Sequence, residues 1–502
     1  MSSNRTSPKN NRWPLSPATV RAVLSGHSIL GLAFAAIIYL VCLTGTLAVF
    51  VPDIEQWEQP AAPVAKELSD KAAARAVQTA LPQVPQDITI YLSLPTEARQ
   101  GATLHAYNTT FDREWAVNAQ GALTEMTAVW SEFLIHLHIN LHLPRSWGDF
   151  IVGMSGVALL SSLLSGILAH PRIIRDAFHL RLGGSRRLQE ADIHNRLGVW
   201  ALPFHFTLAL TGALLGLSTI IVAVLSLLLY QGDMNKVYDL FLDTPLPENT
   251  QQVEMPDLET LIAEARQHAP GATPQAIMIE HPGRADMRIS VSSGRDNMIA
   301  MQDQTKFDAK GAVLKDEHPD SLVTGMRILN GIGQLHFGWF GGVPVRIVYG
   351  LLGLALCLVT STGVTIWMAR RRDKGRAVPH WERIWAMIAW GQPVIFLATL
   401  WAAFLFPARL GEKLPLLWFI LTALSILLAA MLRRFSGSIL ARGLRVTLAI
   451  LSAALLIAHA VATFSQGQPS VTLVDAILLG TAIVLFWPFL RQKFFNSESA
   501  AA

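Results

Sequence analysis

Four of the chain's histidines stand in places that could do metal chemistry. His27 opens His27-Ser28-Ile29-Leu30-Gly31, and Leu43-Thr44-Gly45 follows. His194 opens His194-Asn195-Arg196-Leu197-Gly198, and Leu210-Thr211-Gly212 follows at the same spacing. Leu137-His138 and Leu335-His336 each precede a second matched pair of segments. In those, Gly153, Gly156 and Ser165-Gly166 align with Gly350, Gly353 and Thr362-Gly363, with one residue of slack at the histidine. A duplicated bundle brings His27 towards His194 at one membrane face and His138 towards His336 at the other. Two imidazoles per site suit a haem, whose ring supplies the other four nitrogens. Zinc wants three or four protein ligands, and no Cys or carboxylate accompanies these pairs. The chain lacks a CxxCH attachment motif, so the expected groups are two non-covalent, b-type haems with bis-His ligation. Filled axial positions favour electron transfer over oxygen binding. Taken singly, each histidine has an equal claim to be an interfacial or packing residue; their symmetric placement favours ligation.

Further histidines widen the choice. His136 and His142 flank His138, and His170 ends the second membrane segment. His205 follows His194 by about three helical turns, roughly 16 Å along the same face. It reads equally as an alternative ligand, a link between the faces, or a satisfied polar contact. His459 is isolated and reads as structural. Trp339 and Phe340 lie beside His336, although an interfacial aromatic belt accounts for them and for Trp147, Trp367, Trp381 and Trp385. No catalytic residue is assigned.

The elements that position these residues are membrane helices. The chain has 502 residues, of which 51% are hydrophobic and only 15% charged. It contains about eight apolar stretches long enough to span a bilayer. The reading is an N-terminal segment 1–26, a span 27–51, an outer domain 52–145, a span 146–170 and a basic loop 171–197. A span 198–230, an outer domain 231–340, a span 341–369 and a basic loop 370–383 repeat the pattern. Four further spans fill 384–491 (near 384–406, 414–432, 444–464 and 471–490), and 492–502 is a tail. The first span has too long an apolar core, and Pro52-Asp53 after it, to be a removed leader.

Every second connection is rich in Lys and Arg, for example Arg172, Arg175, Arg186, Arg187 and Arg370-Arg371-Arg372. This places those loops and both termini in the cytoplasm, and the two large loops in the periplasm of a Gram-negative cell. The expected location is the bacterial inner membrane, with the lipid bilayer as partner. The net charge of +4 belongs to these flanks, and no nucleic-acid-binding motif is visible. Cys42 and Cys357 lie inside spans, so the outer loops have no disulfide.

The outer loops repeat as well. Each opens on a helical pattern (Glu67–Ala80, Leu258–His268) and continues with strand-like runs (Ile88–Leu94 and Leu104–Tyr107; Ala276–Glu280 and Met287–Val291). Each closes on a turn, Asn118-Ala119-Gln120-Gly121 or Asp308-Ala309-Lys310-Gly311. The fold class is therefore a polytopic α-helical membrane protein. A duplicated helix, small α+β domain, helix unit forms a four-helix bundle, and four extra C-terminal helices follow.

In its paired histidine motifs, its Leu-His before the second and fourth spans and its small domains closing on a Gly turn, the chain resembles the PepSY-associated transmembrane family. The stretches Ala169-His170-Pro171-Arg172, Asp192-Ile193-His194-Asn195 and Ala201-Leu202-Pro203-Phe204-His205 are similar to its longer, eight-span branch. The likeness covers about residues 20–372. It implies PepSY-like outer domains and kinship with inner-membrane ferric-siderophore reductases that hold two haems. On that likeness His27, His194, His138 and His336 are the axial ligands, and a ferric siderophore or other chelate is the substrate in iron acquisition. The chain shows no dinucleotide fingerprint or P-loop, so the electron donor is a separate quinone or cytoplasmic reductase. Two other classes stay open. One is a non-enzymatic PepSY-type binding or regulatory membrane protein, since PepSY modules elsewhere are associated with peptidase inhibition. The other is a component of an iron or chelate transporter, against which stands the lack of buried acids and mid-helix breaks.

Overall fold

The computed structural model describes residues 15–97, 101–127, 129–169, 186–240, 246–295, 302–322, 324–410, 413–467 and 472–498. Ser16 starts the first helix by accepting the amide of Thr19 at 3.1 Å, and Pro17 takes the first helical position, where its missing N–H costs nothing. Helix α1 (Pro17–Ala33) meets α2 (Ala35–Ala48) at a bend of 66°. Helices α3 (Val51–Glu58) and α4 (Asp70–Ala80) lead into strands β1 (Thr89–Ser93), β2 (Ala102–Tyr107), β3 (Asp112–Val117) and β4 (Leu123–Met126). Helix α5 (Val129–Asn140) returns the chain to the bundle, and α6 (Arg145–Ala169) is long and apolar.

The second copy repeats this order. Helices α7 (Arg186–Trp200) and α8 (Leu202–Gly216) bend by 72°, and α9 (Ser218–Leu229), α10 (Met234–Tyr238) and α11 (Leu258–His268) follow. Strands β5 (Thr273–Glu280), β6 (Arg288–Gly294), β7 (Gln302–Asp308) and β8 (Val313–Glu317) precede α12 (Thr324–Phe337) and α13 (Gly342–Asp373). The two bends fall at equivalent residues, Phe34 (φ −102°, ψ 0°) and Ala201 (φ −95°, ψ 10°). Pro203 accounts for the second, because it cannot donate a helical hydrogen bond across the break. The expected uninterrupted first and third spans are therefore broken helices, and His27 and His194 stand on the arms before the breaks.

The C-terminal region begins with α14 (Pro379–Ala386), a π-turn at Met387–Gly391 and α15 (Gln392–Leu405), which together run as one apolar helix. Helices α16 (Pro407–Leu410), α17 (Leu414–Met431), α18 (Gly437–Ser465) and α19 (Leu473–Glu498) complete it. The carbonyl of Ala389, to which Pro393 one turn on cannot donate, accepts the Tyr39 hydroxyl at 2.6 Å. Among the described residues five helices are long and apolar enough to cross a membrane, or up to seven if each bent pair is one span. The apolar helices Ser218–Leu229 and Leu473–Pro488 are shorter. The chain is a multi-pass α-helical membrane protein with an antiparallel sheet domain.

That sheet is one body. All eight strands pair antiparallel in the order β4-β3-β2-β1-β5-β6-β7-β8. The halves join where β1 meets β5, with Ile90 opposite Ile279 and Leu92 opposite Ile277. Two separate sheets would expose β1 and β5 as edges as well as β4 and β8; pairing β1 with β5 leaves only the outer two and fuses the cores. Ile90, Leu92, Leu104, Ile277, Ile279 and Phe307 are all fully buried in one cluster. The small-residue face of α4 (Ala73, Ala76, Ala80) and the Leu258, Leu261, Ile262, Ala265 stripe of α11 cover it. Both Gly turns need the left-handed backbone, with φ +78° at Gly121 and +82° at Gly311. Asn118 Oδ1 and Asp308 Oδ1 each accept the two amides that close their turn.

The second half of the sheet carries a charged network. The His318 ring lies 2.8 Å from Asp303 Oδ1 and 3.1 Å from Asp316 Oδ2, and Arg295 donates two bonds to Asp303. The hydrogen bond to Asp303 raises the His318 pKa above 6.5. Burial pushes Asp303 up, but the bonds from Arg295 and His318 outweigh it and hold the carboxyl below 3.8. The His318 contribution to stability is then fully present below pH 6.5 and is lost as pH rises through its elevated folded value. The Asp303 contribution is present above pH 3.8 and is lost as pH falls through its depressed one. Melting temperatures of wild type and His318→Gln should differ at pH 6 and converge at pH 9; a difference that stays constant across that range contradicts the assignment.

Candidate functional site

The four helices that face each other in pairs do so through small residues. A Cβ on Gly153 would meet the Gly216 backbone at 2.8 Å, and one on Gly156 would meet the Ala213 backbone at 3.0 Å, so α6 and α8 cross at backbone contact. On the other side a Cβ on Gly353 would meet the Thr46 side chain at 2.5 Å, so α13 packs closely on α2 with Gly353 as clearance for that side chain. These two contacts fix the frame on which the histidines are carried.

His27 on α1 faces His194 on α7, with ring centroids 6.4 Å apart and planes at 78°. His138 on α5 faces His336 on α12, with centroids 6.2 Å apart and planes at 23°. The first pair lies before the bends, and the second lies at the end of the bundle reached directly from the sheet. The outer histidines are not at the start of the long helices, as expected, but on α5 and α12, short helices of their own. Chain reversals separate them from α6 and α13, with left-handed backbone at Leu141, His142, Gly338 and Gly341.

Each ring is seated in the same manner by the helix behind it. His27 Nδ1 donates to the Ser162 carbonyl at 2.9 Å, with Ser165 Oγ at 3.3 Å. His194 Nδ1 donates to the Val359 carbonyl at 2.9 Å, with Thr362 Oγ1 at 3.2 Å. His138 Nδ1 donates to the Val41 carbonyl at 3.0 Å, with Thr44 Oγ1 at 3.3 Å. His336 Nδ1 is 2.9 Å from Thr211 Oγ1. All four hydroxyls already donate to carbonyls of their own helices, so towards the rings they accept. A carbonyl can only accept, and Thr211 has spent its proton on Thr207. Every ring therefore carries its proton on Nδ1 and its lone pair on Nε2, the arrangement of a metal-ligating imidazole oriented by a polar partner.

The glycine after each hydroxyl residue makes room for the ring. A Cβ would meet the ring Cε1 at 2.7 Å from Gly45, 3.0 Å from Gly212, 3.3 Å from Gly363 and 3.5 Å from Gly166. Sequence reading saw Thr44-Gly45, Thr211-Gly212, Ser165-Gly166 and Thr362-Gly363 only as marks of the repeat. The structure gives them a task, with the hydroxyl as acceptor and the glycine as clearance. The Gly212-xxx-Gly216 pair divides its labour, since Gly216 packs on Gly153 while Gly212 faces His336.

The arrangement fits a two-ligand metal group. Two imidazoles bonded from opposite sides to one metal at about 2 Å set their centroids roughly 6 Å apart, which both pairs match. Among the described residues no group of three or more His, Cys, Asp or Glu could hold a metal ion, so these pairs lack the ligand count of a zinc site.

The remaining histidines divide. His136 lies 3.9 Å from Glu132, a half-exposed pair one helical turn apart. His142 spends Nε2 on the Phe133 carbonyl at 2.9 Å and stacks on the Phe133 ring, so it is committed locally. His205 is fully buried, with Nε2 3.3 Å from the Leu352 carbonyl and Nδ1 without a partner among the described residues. His170 lies outside the described residues. Trp339 stacks on Phe337, which in turn meets the His336 ring edge-on, so its contact with the site is indirect. Phe340 meets Tyr349 edge-on at 6.0 Å.

The C-terminal helices, unassigned from sequence, buttress one copy. Trp130, Phe133, Leu134 and Leu137 on α5 are buried in a cluster with residues of α15, α17, α18 and α19. Trp130 Nε1 donates to Thr399 Oγ1 at 2.9 Å, and Glu58 accepts the amides of Trp130 and Ser131 at the start of α5, where a carboxylate also meets the positive end of the helix. Among the described residues helix α12 has no such cover, and Ile328 on it is 63% exposed.

Comparison with known proteins agrees with this division. The model of the PepSY-associated TM region matches residues 24–370, which takes in both copies and leaves out the C-terminal helices. The chain is also 27% identical over 251 residues to the uncharacterized protein PA4219 of Pseudomonas aeruginosa. That match covers 48% of this chain and 64% of the relative, so it spans somewhat less than two thirds of the relative's length. With both copies of the repeat inside the family match, the chain belongs to the PepSY-associated transmembrane family.

Proposed function

We propose that this chain is a two-haem electron-transfer protein of the bacterial inner membrane that reduces a ferric siderophore or another ferric chelate during iron acquisition. The observation that carries the reading is the pair of facing histidine couples, one at each end of the bundle, with centroids 6.4 and 6.2 Å apart and every Nδ1 engaged by a residue of a neighbouring helix. His27 and His194 hold one b-type haem and His138 and His336 the other. The haems supply one-electron carriers when bound. The chain's own part is to fix the imidazoles by their Nδ1 bonds, to keep water from the apolar bundle and to orient the two sites across the membrane. In this reading the basic connections and both termini are cytoplasmic, the sheet domain is periplasmic and receives the chelate, and a quinone or a cytoplasmic reductase supplies electrons.

The test is a dithionite-reduced minus oxidised spectrum of the purified chain with a pyridine haemochrome count. Two b-type haems per chain are expected, followed by ferric-chelate-dependent reoxidation. Absence of haem after expression with ample haem supply overturns the reading and leaves a PepSY-type binding protein or a transporter component.

A further inference from the structure

A cavity of about 400 Å³ lies where α15 and α18 meet α3 and the foot of the sheet, within the size range of small-molecule sites. Trp57, Phe404, His459 and Gln59 are among its walls. His459 is 1% exposed, stacked on Trp57 at 4.4 Å and edge-on to Phe404 at 6.3 Å. Its Nδ1 lies 3.0 Å from Asp475 Oδ1. Asp475 is held in turn by Trp57 Nε1 at 2.9 Å and by the amide and hydroxyl of Thr472 at 2.9 and 2.8 Å. The contact is close but falls short of an aligned hydrogen bond, and neither ring nitrogen of His459 has a hydrogen-bond partner among the described residues. Gln59 Oε1 is likewise buried without a partner, while its amide nitrogen donates to Thr127 at 2.6 Å.

The charges around the cavity select a neutral occupant. Among the described residues no Lys or Arg lines it, so an anion finds no counter-charge there. Glu58 is saturated by the amides of Trp130 and Ser131 and by the Ser131 hydroxyl, and Glu125 is a 55% exposed side chain 3.7 Å from Arg113, so among the described residues the buried walls offer a cation no free carboxylate. A carboxylate oxygen 3.0 Å away can only accept, so the neutral His459 ring keeps its proton on Nδ1 and offers the Nε2 lone pair, and Gln59 Oε1 is an acceptor as well. Two open acceptors between aromatic walls match a flat neutral ring that carries two hydroxyl donors. Ala403, Phe404 and Ala462 belong to long apolar helices, which makes the bilayer the source.

We propose that this cavity binds the hydroquinone headgroup of a membrane-soluble quinol, with its hydroxyls donating to His459 Nε2 and Gln59 Oε1. Its role as an electron donor rests on the haem reading, whereas its binding does not.

Anaerobic titration calorimetry of the full chain in detergent tests this, with decylubiquinol, decylubiquinone and a water-soluble catechol as parallel probes. Quinol should bind one to one. The quinone, which can only accept, should bind about ten-fold more weakly, because it sets oxygen against two acceptors. His459→Leu and Gln59→Leu should each weaken quinol binding by about ten-fold. Gln59→Leu, at the rim, carries the test if His459→Leu fails to fold. Equal affinity for quinol and quinone, no quinol binding, or unchanged binding in the rim variant overturns the proposal. Catechol binding without quinol binding places the source in the aqueous phase and overturns the membrane assignment. Haem counted on the same samples separates this outcome from the fate of the histidine couples.

Discussion

His194→Ala and His138→Ala should each lower the haem content from two to about one per chain, and the double variant should carry none. The two single variants remove different haems, because their histidines belong to couples at opposite ends of the bundle. The spectrum or midpoint potential of the survivor should therefore differ between them, and the intact couple serves as the folding control. Loss of both haems in either single variant, with the chain still monodisperse, would show that the couples are not independent sites. A finer effect follows from the polar seats. His138 keeps the Val41 carbonyl if Thr44 loses its hydroxyl, whereas among the described residues the hydrogen bond of His336 is to Thr211 alone. Loss of an orienting partner costs about 10–100-fold in affinity for a metal group. Thr211→Val should thus weaken haem retention at the sheet-side couple by that order, and Thr44→Val by much less. Equal effects of the two substitutions would contradict the seating described above.

Much of this site is legible in the residues because duplication prints it twice. The constant spacing of His27 and His194 from their Thr-Gly dipeptides marks both as parts of one device, and the structure brings each couple together. The Gly turns are legible for a local reason, since only a left-handed backbone closes them and glycine adopts it at no cost. Other features are fixed by partners distant in sequence. Strands β3 and β4 carry weak alternation, and Asp112-Arg113-Glu114 opens β3 with three charged side chains, so neither reads as a strand. The joining of β1 to β5 is a choice between edges that local patterning does not encode. The bend at Phe34 lacks the proline that its counterpart at Ala201 has nearby, so only one of the two equivalent breaks has a local signal. The crowd of His136, His138 and His142 is sorted only by orientation. His142 turns back to its own helix, and His138 alone reaches Val41 on α2. His459 reads as an isolated packing residue until α18 and α19 place it beside Asp475.

The glycine seats give the sharpest graded expectation. At Gly45 a methyl group would stand 2.7 Å from His138 Cε1, and the ring cannot retreat without giving up the Val41 carbonyl. At Gly212 the distance to His336 is 3.0 Å, at Gly363 to His194 it is 3.3 Å, and at Gly166 to His27 it is 3.5 Å, an ordinary contact. Overpacking of this kind costs about 1–3 kcal/mol where the neighbour is held, and little where it is not. Gly45→Ala should therefore reduce the content to about one haem per chain, Gly212→Ala should lower occupancy of the same site, and Gly363→Ala should shift the spectrum of the other. Gly166→Ala should keep both haems and an unaltered spectrum. A pyridine haemochrome count with difference spectra on the four variants reads the order directly. If Gly166→Ala loses as much haem as Gly45→Ala, the glycines serve general helix packing and not the seating of imidazoles. The order matters more than any one value, because all four substitutions add the same methyl group to the same kind of helix and differ chiefly in the distance to a histidine ring.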